Sequence, residues 1–287
     1  MRRTIFFIKK VSLSFIALCF VFALTISCAK SPEIVVQSMK MPIPAGQSVF
    51  IEELLPGEIA DTKIEHVAYK GPLVQNISLS PDSVNMFVVV KGKGELRADT
   101  LSFGLVPESI AIPMKYRIVT INVKRGEVLH FVRFSKKLTE QDKKDLEAFP
   151  PENKYDVYFT RFSDCEPYSE AIKSPNTISR TVLPENIVPR VALGTVEAPG
   201  PDTVGKHRHA MLDQLFLGLK GNDVVVQADD AEAKFPEYSL LHIPLGSNHG
   251  VTVDKNKRMY YLWMDFFRTK EGQEWLKEHK PVSTYDD

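Results

Sequence analysis

The sequence predicts an all-β protein made of two tandem barrels, each followed by a short α-helix. Three observations support this prediction: many short β-branched and aromatic runs, two helix-start signals, and landmarks that recur at a nearly constant offset. Clusters of Gly, Pro, Asn and Asp separate the runs, a pattern typical of sandwiches and barrels. The predicted strands are 84–90, 118–123, 128–134, 192–196, 215–219, 224–226, 240–243 and 259–267.

Each predicted helix begins at a threonine followed by acidic residues. Thr139 opens a run to Phe149 that ends at two prolines, and Thr269 opens a second run to His279, just before another proline. A threonine hydroxyl accepts hydrogen bonds from the free amides of a first helical turn, and acidic residues favour the positive end of the helix. We therefore expect one helix after each barrel.

The two helix caps are 130 residues apart, and the strand regions repeat at almost the same distance. Residues 88–92 (VVVKG) correspond to 217–221 (LGLKG) at an offset of 129, and 110–113 (IAIP) to 241–244 (LHIP) at an offset of 131. Three landmarks in the same order indicate two homologous halves. The predicted organisation is a signal segment (1–27), a first barrel domain (40–150), a connector (151–182) and a second barrel domain (183–287).

The overall composition is that of an ordinary globular protein. The chain has 36 Lys+Arg against 36 Asp+Glu, and 44% of its residues are hydrophobic. A phosphate backbone requires a basic surface, and a formal charge of zero provides none. We therefore expect no nucleic-acid partner.

The N-terminus is typical of an exported protein. Four basic side chains flank or precede an apolar run over residues 11–26, which is shorter than the ~20 residues of a membrane span. Residues 24–28 (LTISC) resemble the lipobox of bacterial lipoproteins, although Thr25 replaces the usual aliphatic residue. This resemblance implies cleavage before Cys28 and lipidation of that cysteine. Plain secretion and an uncleaved anchor are the alternatives that these residues leave open.

The expected mature protein differs from the full chain in charge and cysteine content. Removal of residues 1–27 takes away four positive charges and no negative ones, so the remaining 260 residues carry a formal charge of −4. Cys165 is then the one cysteine without a lipid, and no intramolecular disulfide is expected. The expected location is the bacterial cell envelope, where the protein would be a membrane-anchored lipoprotein of the periplasm or of the outer membrane.

Three histidines in the second half are candidate metal ligands. Side chains at positions i and i+2 of a strand share one face, so His207 and His209 can point together into a barrel. Imidazole nitrogens suit first-row transition metals, and a third ligand from a distant strand can complete one side of a coordination shell. His249 is the candidate for that ligand.

The first of two motifs in this region resembles that of the cupin superfamily. The family motif is His-x-His, three or four residues, Glu, six residues and Gly; here it is His207-x-His209, four residues, Gln214, six residues and Gly221. Gln214 replaces the usual Glu, so the fourth ligand would be a neutral amide oxygen or would be absent. Asp213 is the alternative carboxylate ligand if the strand is shifted by one residue.

The second cupin motif, Pro-x-Gly-x-x-His, corresponds to Pro244, Gly246 and His249. Together with the repeat, the resemblance implies a bicupin: two jelly-roll (double-stranded β-helix) barrels, with metal ligands only in the second. The first barrel would be degenerate, because its positions equivalent to the first-motif ligands are Ser78, Ser80 and Asn85. A pocket lined by such hydroxyl and amide groups could still bind a sugar.

The resemblance implies a divalent transition metal, with Zn, Fe, Mn and Ni all compatible. Neutral ligands leave the ion its full 2+ charge, which favours an anionic substrate or a metal-bound hydroxide. Trp263 and Asp265 are two positions apart in a predicted strand and therefore lie on the same face. They are candidate pocket residues. The catalytic base is not identified by these patterns.

Cupins host many unrelated activities, so the fold does not select one reaction. The favoured hypothesis is a metal-dependent enzyme on a small polar substrate, similar to sugar or uronate isomerases and epimerases. A cupin dioxygenase is the first alternative. A non-catalytic carbohydrate- or small-molecule-binding protein is the second, and the Gln for Glu replacement favours it. Expected partners are a small molecule and, through the lipid, a membrane; a homodimer is compatible with these features.

Overall fold

The computed structural model describes residues 33–170, 172–209 and 211–273. The predicted signal segment and Cys28 lie outside these ranges. The first ten strands and the α-helix that follows them are β1 (Val35–Ser38), β2 (Val49–Glu53), β3 (Thr62–Lys70), β4 (Leu73–Ser78), β5 (Ser83–Lys91), β6 (Gly94–Ala98), β7 (Leu101–Leu105), β8 (Ser109–Pro113), β9 (Ile118–Val123), β10 (Val128–Lys137) and α1 (Glu140–Ala148).

Strands continue through the connector and the second half. Two 3-10 turns, Pro151–Asn153 and Phe162–Asp164, flank the first of them. These strands are β11 (Val157–Arg161), β12 (Pro167–Tyr168), β13 (Ile178–Leu183), β14 (Val191–Pro199), β15 (Asp202–His207), β16 (Leu212–Gly218), β17 (Asp223–Ala228), β18 (Ala231–Pro236), β19 (Ser239–Ile243), β20 (His249–Val253) and β21 (Arg258–Phe267).

The strands form two barrels, each with one large and one small sheet. In the first barrel the large sheet has the order β11-β8-β5-β10-β3-β2 and the small sheet β4-β9-β6-β7. In the second barrel the orders are β1-β19-β16-β21-β14-β13-β12 and β15-β20-β17-β18. The pairings are antiparallel. The predicted all-β double barrel is confirmed.

The predicted repeat is visible strand by strand. The first residues of β3 to β10 precede those of β14 to β21 by 129 to 131 positions. The two large sheets are also completed in equivalent ways. Strand β11 pairs with β8, and β1 pairs with β19. In each large sheet, a segment from outside the repeat therefore adds a strand at one edge. The connector therefore supplies strands to both barrels, β11 to the first and β12 and β13 to the second.

The large sheets are apolar on both faces. One face of each packs against the interior of its own barrel, and the other packs in a cluster shared by the two large sheets. In β5, Phe87 and Val89 point into the first barrel, whereas Met86 and Val88 pack in a cluster shared with the second barrel. That shared cluster contains Leu215 and other side chains of the second large sheet. A strand buried on both faces appears in the sequence as a continuous apolar run, and this is why β5 was predictable.

The first predicted helix is confirmed, and its cap has the expected geometry. The hydroxyl of Thr139 accepts a hydrogen bond from the amide of Asp142 (3.1 Å), and the carboxylate of Asp142 accepts one from the amide of Thr139 (2.9 Å). After β21, Thr269 accepts a hydrogen bond from the amide of Gly272, and residues 270–273 are helical. The rest of the second predicted helix lies outside the described residues. Among the helices that are described, none has the length and apolar character needed to cross a membrane.

Candidate metal centre

The structure brings together the three histidines selected from the sequence. His207 ends β15, His249 begins β20, and the two residues are direct partners in the antiparallel register. His209 follows two residues after His207. The ring centroids lie 4.5 Å (His207 to His249), 4.9 Å (His207 to His209) and 5.5 Å (His209 to His249) apart. One nitrogen of each ring lies within 4.8 Å of one nitrogen of the others.

Backbone carbonyls fix the tautomers of two of these rings. The Nδ1 of His207 lies 2.9 Å from the carbonyl oxygen of Gly205, and the Nδ1 of His249 lies 3.0 Å from that of Ser247. A carbonyl oxygen can only accept, so each Nδ1 donates and each Nε2 keeps its lone pair. Hydrogen bonds of this kind are the usual outer support of metal-binding histidines.

The third ring supplies the strongest indication that this group fits a metal. The Nδ1 of His209 is buried and, among the described residues, has no hydrogen-bond partner. A buried polar atom without a partner costs about 1–3 kcal/mol. A metal–ligand bond to this ring would offset that cost. The donor set, three imidazoles, therefore fits a divalent transition metal.

Burial keeps the rings in the state that binds metals. Loss of hydration lowers the pKa of His209 to about 3 and that of His249 to about 4, and the neighbouring imidazoles add to both shifts. The pKa of His207 is lowered as well, again chiefly by burial. The three imidazoles are therefore neutral at neutral pH, with lone pairs available for coordination.

Gln214 and Asp213 point to opposite faces of β16, as neighbours in a strand must. Gln214 faces the cavity beside the histidines, where its Nε2 donates a hydrogen bond to Oδ1 of Asp265 (3.0 Å). Asp213 instead receives two hydrogen bonds from Arg268, at 2.9 and 3.0 Å. The strand is not shifted by one residue: Gln214 lines the cavity of the histidines, whereas Asp213 pairs with Arg268.

Asp265 and Trp263, the two candidate pocket residues, both line the same cavity as the histidines. Asp265 lies directly opposite Gln214 in the pairing of β16 with β21. Burial raises the pKa of Asp265 to about 7, against the hydrogen bond from Gln214, which lowers it. The site therefore contains a carboxyl group that can gain or lose a proton near neutral pH.

The cavity has a volume of about 170 Å³ and is closed on one side by the connector. The carbonyl of Ile172 accepts a hydrogen bond from the amide of Gly205 (3.1 Å), and Lys173 forms an isolated bridge with Val204. The connector thereby adds four side chains to the lining, which are Tyr168, Glu170, Ile172 and Lys173.

Lys173 and the partly exposed Glu170 form an ion pair inside this wall. The ammonium group of Lys173 donates to Oε1 of Glu170 (2.5 Å) and to the hydroxyl of Ser179 (2.9 Å), and the lysine side chain is only 6% exposed. Burial lowers the pKa of Lys173, and the carboxylate of Glu170 opposes that shift. Sequence reasoning missed both residues, because a segment without periodicity carries no signal for what it covers.

The first barrel has a different set of polar groups at the equivalent place. Asn85 and Ser135 are direct partners, like Gln214 and Asp265, and the Ser135 hydroxyl donates to Oδ1 of Asn85 (2.8 Å). The corresponding end of β4 carries Ser78. Among the described residues, the three histidines of the second barrel form the one group of three or more potential metal ligands whose atoms cluster.

Comparison with known proteins identifies the fold. No family model and no curated protein matches the chain. Among solved structures, a Pseudomonas aeruginosa protein described as glyoxylate-induced aligns with a TM-score of 0.64 and 13% identity, covering 83% of this chain and 90% of that one. Protein Ylba of E. coli aligns with a TM-score of 0.61 and 13% identity, covering 82% and 91%.

A third similar structure is the Lactobacillus farciminis oxalate decarboxylase in complex with formate. Its TM-score is 0.60 and its identity 9%, covering 87% of this chain and 88% of that one. At such identities these likenesses establish the fold alone. The chain has the cupin fold, as two tandem barrels.

Proposed function

We propose that the second barrel is a metal-dependent enzyme that moves a proton on a small polar carbonyl compound, as isomerases and epimerases do. One observation supports this proposal above all: three neutral histidines, one buried and two half-buried, share a cavity with Asp265, a carboxyl group whose pKa is raised to about 7. A metal site beside a proton-exchanging group is one arrangement that can catalyse such reactions.

Each part of the site has a separate role in this proposal. His207, His209 and His249 would hold the divalent ion, with Zn, Fe, Mn and Ni all compatible with the donors. When bound, such an ion supplies Lewis acidity that polarises a carbonyl group. Gln214 fixes the orientation of Asp265 through the 3.0 Å hydrogen bond.

Asp265 is the proposed general acid and base. A group whose pKa lies near the working pH is present in both protonation states, which is the most effective condition for proton transfer. Glycosidase and isomerase sites tune carboxyl groups by burial in the same manner. The connector covers one side of the cavity that contains Asp265.

Deuterium incorporation tests the proposal. Metal-loaded protein is incubated in D₂O with a panel of small carbonyl compounds, including glyceraldehyde, dihydroxyacetone, glucuronate and pyruvate, and exchange next to the carbonyl is followed by NMR. We expect exchange with at least one compound and its loss in Asp265→Asn, whose metal content should be unchanged. Ser135→Ala, the equivalent position of the first barrel, is the matched control and should retain exchange. Equal rates in the Asp265→Asn variant and in the unaltered protein would disprove the assigned role.

We also propose that the protein is an exported lipoprotein of the bacterial cell envelope, anchored through Cys28. The basic and apolar N-terminal segment and the lipobox-like residues 24–28 support this location. Labelling with a radioactive fatty acid tests it: the full chain should incorporate label and sediment with membranes, and Cys28→Ala should do neither. Equal labelling of both would contradict the proposal.

A further inference from the structure

Lys173 brings a positive charge into the cavity that already contains the candidate metal site. We propose that this lysine recognises a carboxylate, and that the substrate is a short-chain keto or hydroxy acid. The inference rests on the proposed function, since the carbonyl or hydroxyl group of the same molecule would meet the metal.

The charge balance of the cavity favours an anionic ligand. Three neutral imidazoles would leave a divalent ion its full 2+ charge. The charges of Lys173 and Glu170 cancel each other, and Asp265 contributes at most one negative charge. A buried surplus of at least one positive charge therefore remains, and buried charge is costly unless a partner compensates it. A carboxylate on the substrate supplies that partner.

Lys173 is held in place and still has a free donor. A lysine ammonium group has three N–H donors. Among the described residues, Glu170 and Ser179 accept hydrogen bonds from two of them. Because Lys173 is nearly inaccessible to solvent and lines the cavity, its third N–H is available to a ligand inside the cavity rather than to bulk water.

The size of the cavity restricts the substrate further. A volume of about 170 Å³ corresponds to roughly six waters at about 30 Å³ each. A keto acid of three or four carbons has a comparable volume, whereas a hexuronate has about twice as many non-hydrogen atoms. The cavity therefore favours short acids over sugar acids among the carbonyl compounds that the proposed reaction allows.

Calorimetric titration with two matched probes tests this inference. Pyruvate and hydroxyacetone share a methyl ketone, but only pyruvate has a carboxylate. The metal-loaded full chain should bind pyruvate at least about tenfold more tightly than hydroxyacetone. Lys173→Met should weaken pyruvate binding at least about 30-fold, equivalent to about 2 kcal/mol, and leave hydroxyacetone binding unchanged. Lys173→Arg should restore most of the preference. Lys257→Met, at a half-exposed lysine that does not line the cavity, should behave like the unaltered protein.

The outcomes separate this inference from the proposed function. Metal content and the thermal melting temperature are measured for every variant, so that an unfolded or metal-free sample is recognised. Equal affinity for the two probes, no binding of pyruvate, or unchanged pyruvate binding in folded Lys173→Met would overturn the role of Lys173, even if deuterium exchange occurs. Lysine-dependent pyruvate binding without any deuterium exchange would overturn the proposed reaction alone. Failure of the unaltered chain to bind metal would overturn both.

Discussion

Replacement of Asp265 by Asn should stabilise the metal-free protein at alkaline pH. Asn is nearly isosteric with Asp, and its carbonyl can keep the hydrogen bond that Gln214 donates. The folded protein raises the pKa of Asp265 from 3.8 to about 7. Above pH 7 the carboxylate of Asp265 is therefore ionised and buried in the native state, whereas water hydrates it in the unfolded state. The substitution removes the free-energy cost of burying this charge.

The magnitude follows from the size of the pKa shift. A difference of about 3 pKa units, at 1.36 kcal/mol per unit, corresponds to about 4 kcal/mol. The sign is that of a raised carboxyl pKa: the native state binds the proton more tightly, so the free energy of unfolding decreases as pH rises from about 4 to about 7. Asp265→Asn should not show this part of the decrease.

Urea unfolding in the presence of EDTA, at pH 5 and pH 8, measures the effect. The stability advantage of Asp265→Asn should grow by about 3 kcal/mol between these two values of pH, because they span most of the range from about pH 4 to about pH 7 in which the stability changes. Asp213→Asn is the matched control, since it removes a partly exposed ion pair with Arg268 and should lower stability modestly. An advantage of Asp265→Asn that is independent of pH would refute the raised pKa.

Three further predictions concern other parts of the molecule. Arg190→Ala should reduce the free energy of unfolding by about 3 kcal/mol in urea titrations, because it leaves the buried carboxylate of Asp142 without its two 2.7 Å hydrogen bonds. Gly194→Ala should destabilise the second barrel by about 1–3 kcal/mol and alter Trp263 fluorescence, because the new Cβ would lie 2.3 Å from the indole ring. Addition of the cognate metal at about 100 times its dissociation constant should stabilise the protein by about 2.7 kcal/mol in thermal melts, and His209→Ala should abolish this gain.

The double barrel was predictable because its signals are local or periodic. Strands such as β5 and β21 are long apolar runs, and the repeat offset holds for eight strand pairs. Strands with exposed polar residues, such as β4 and β15, gave no such signal. The pairing of β1 with β19 joins residues about 200 positions apart, and no local pattern reveals such a contact.

The candidate site was predictable only where a short motif carried it. The spacing of His207, His209 and His249 is visible in the sequence, and the structure places them together. The contact of Gln214 with Asp265 depends on the register of β16 against β21. Lys173 lines the site because the connector folds over the barrel. Tertiary packing decides this placement, so it could not be predicted from a local pattern.

The central claim is that His207, His209 and His249 bind one divalent metal ion. Its most direct test is the metal content of the full chain, measured by mass spectrometry after exposure to Zn, Fe, Mn and Ni in turn and dialysis. We predict about one equivalent of at least one metal in the unaltered protein and less than about one tenth in a folded His207→Ala/His249→Ala variant. No bound metal in the unaltered protein, or equal metal in both, would contradict the account.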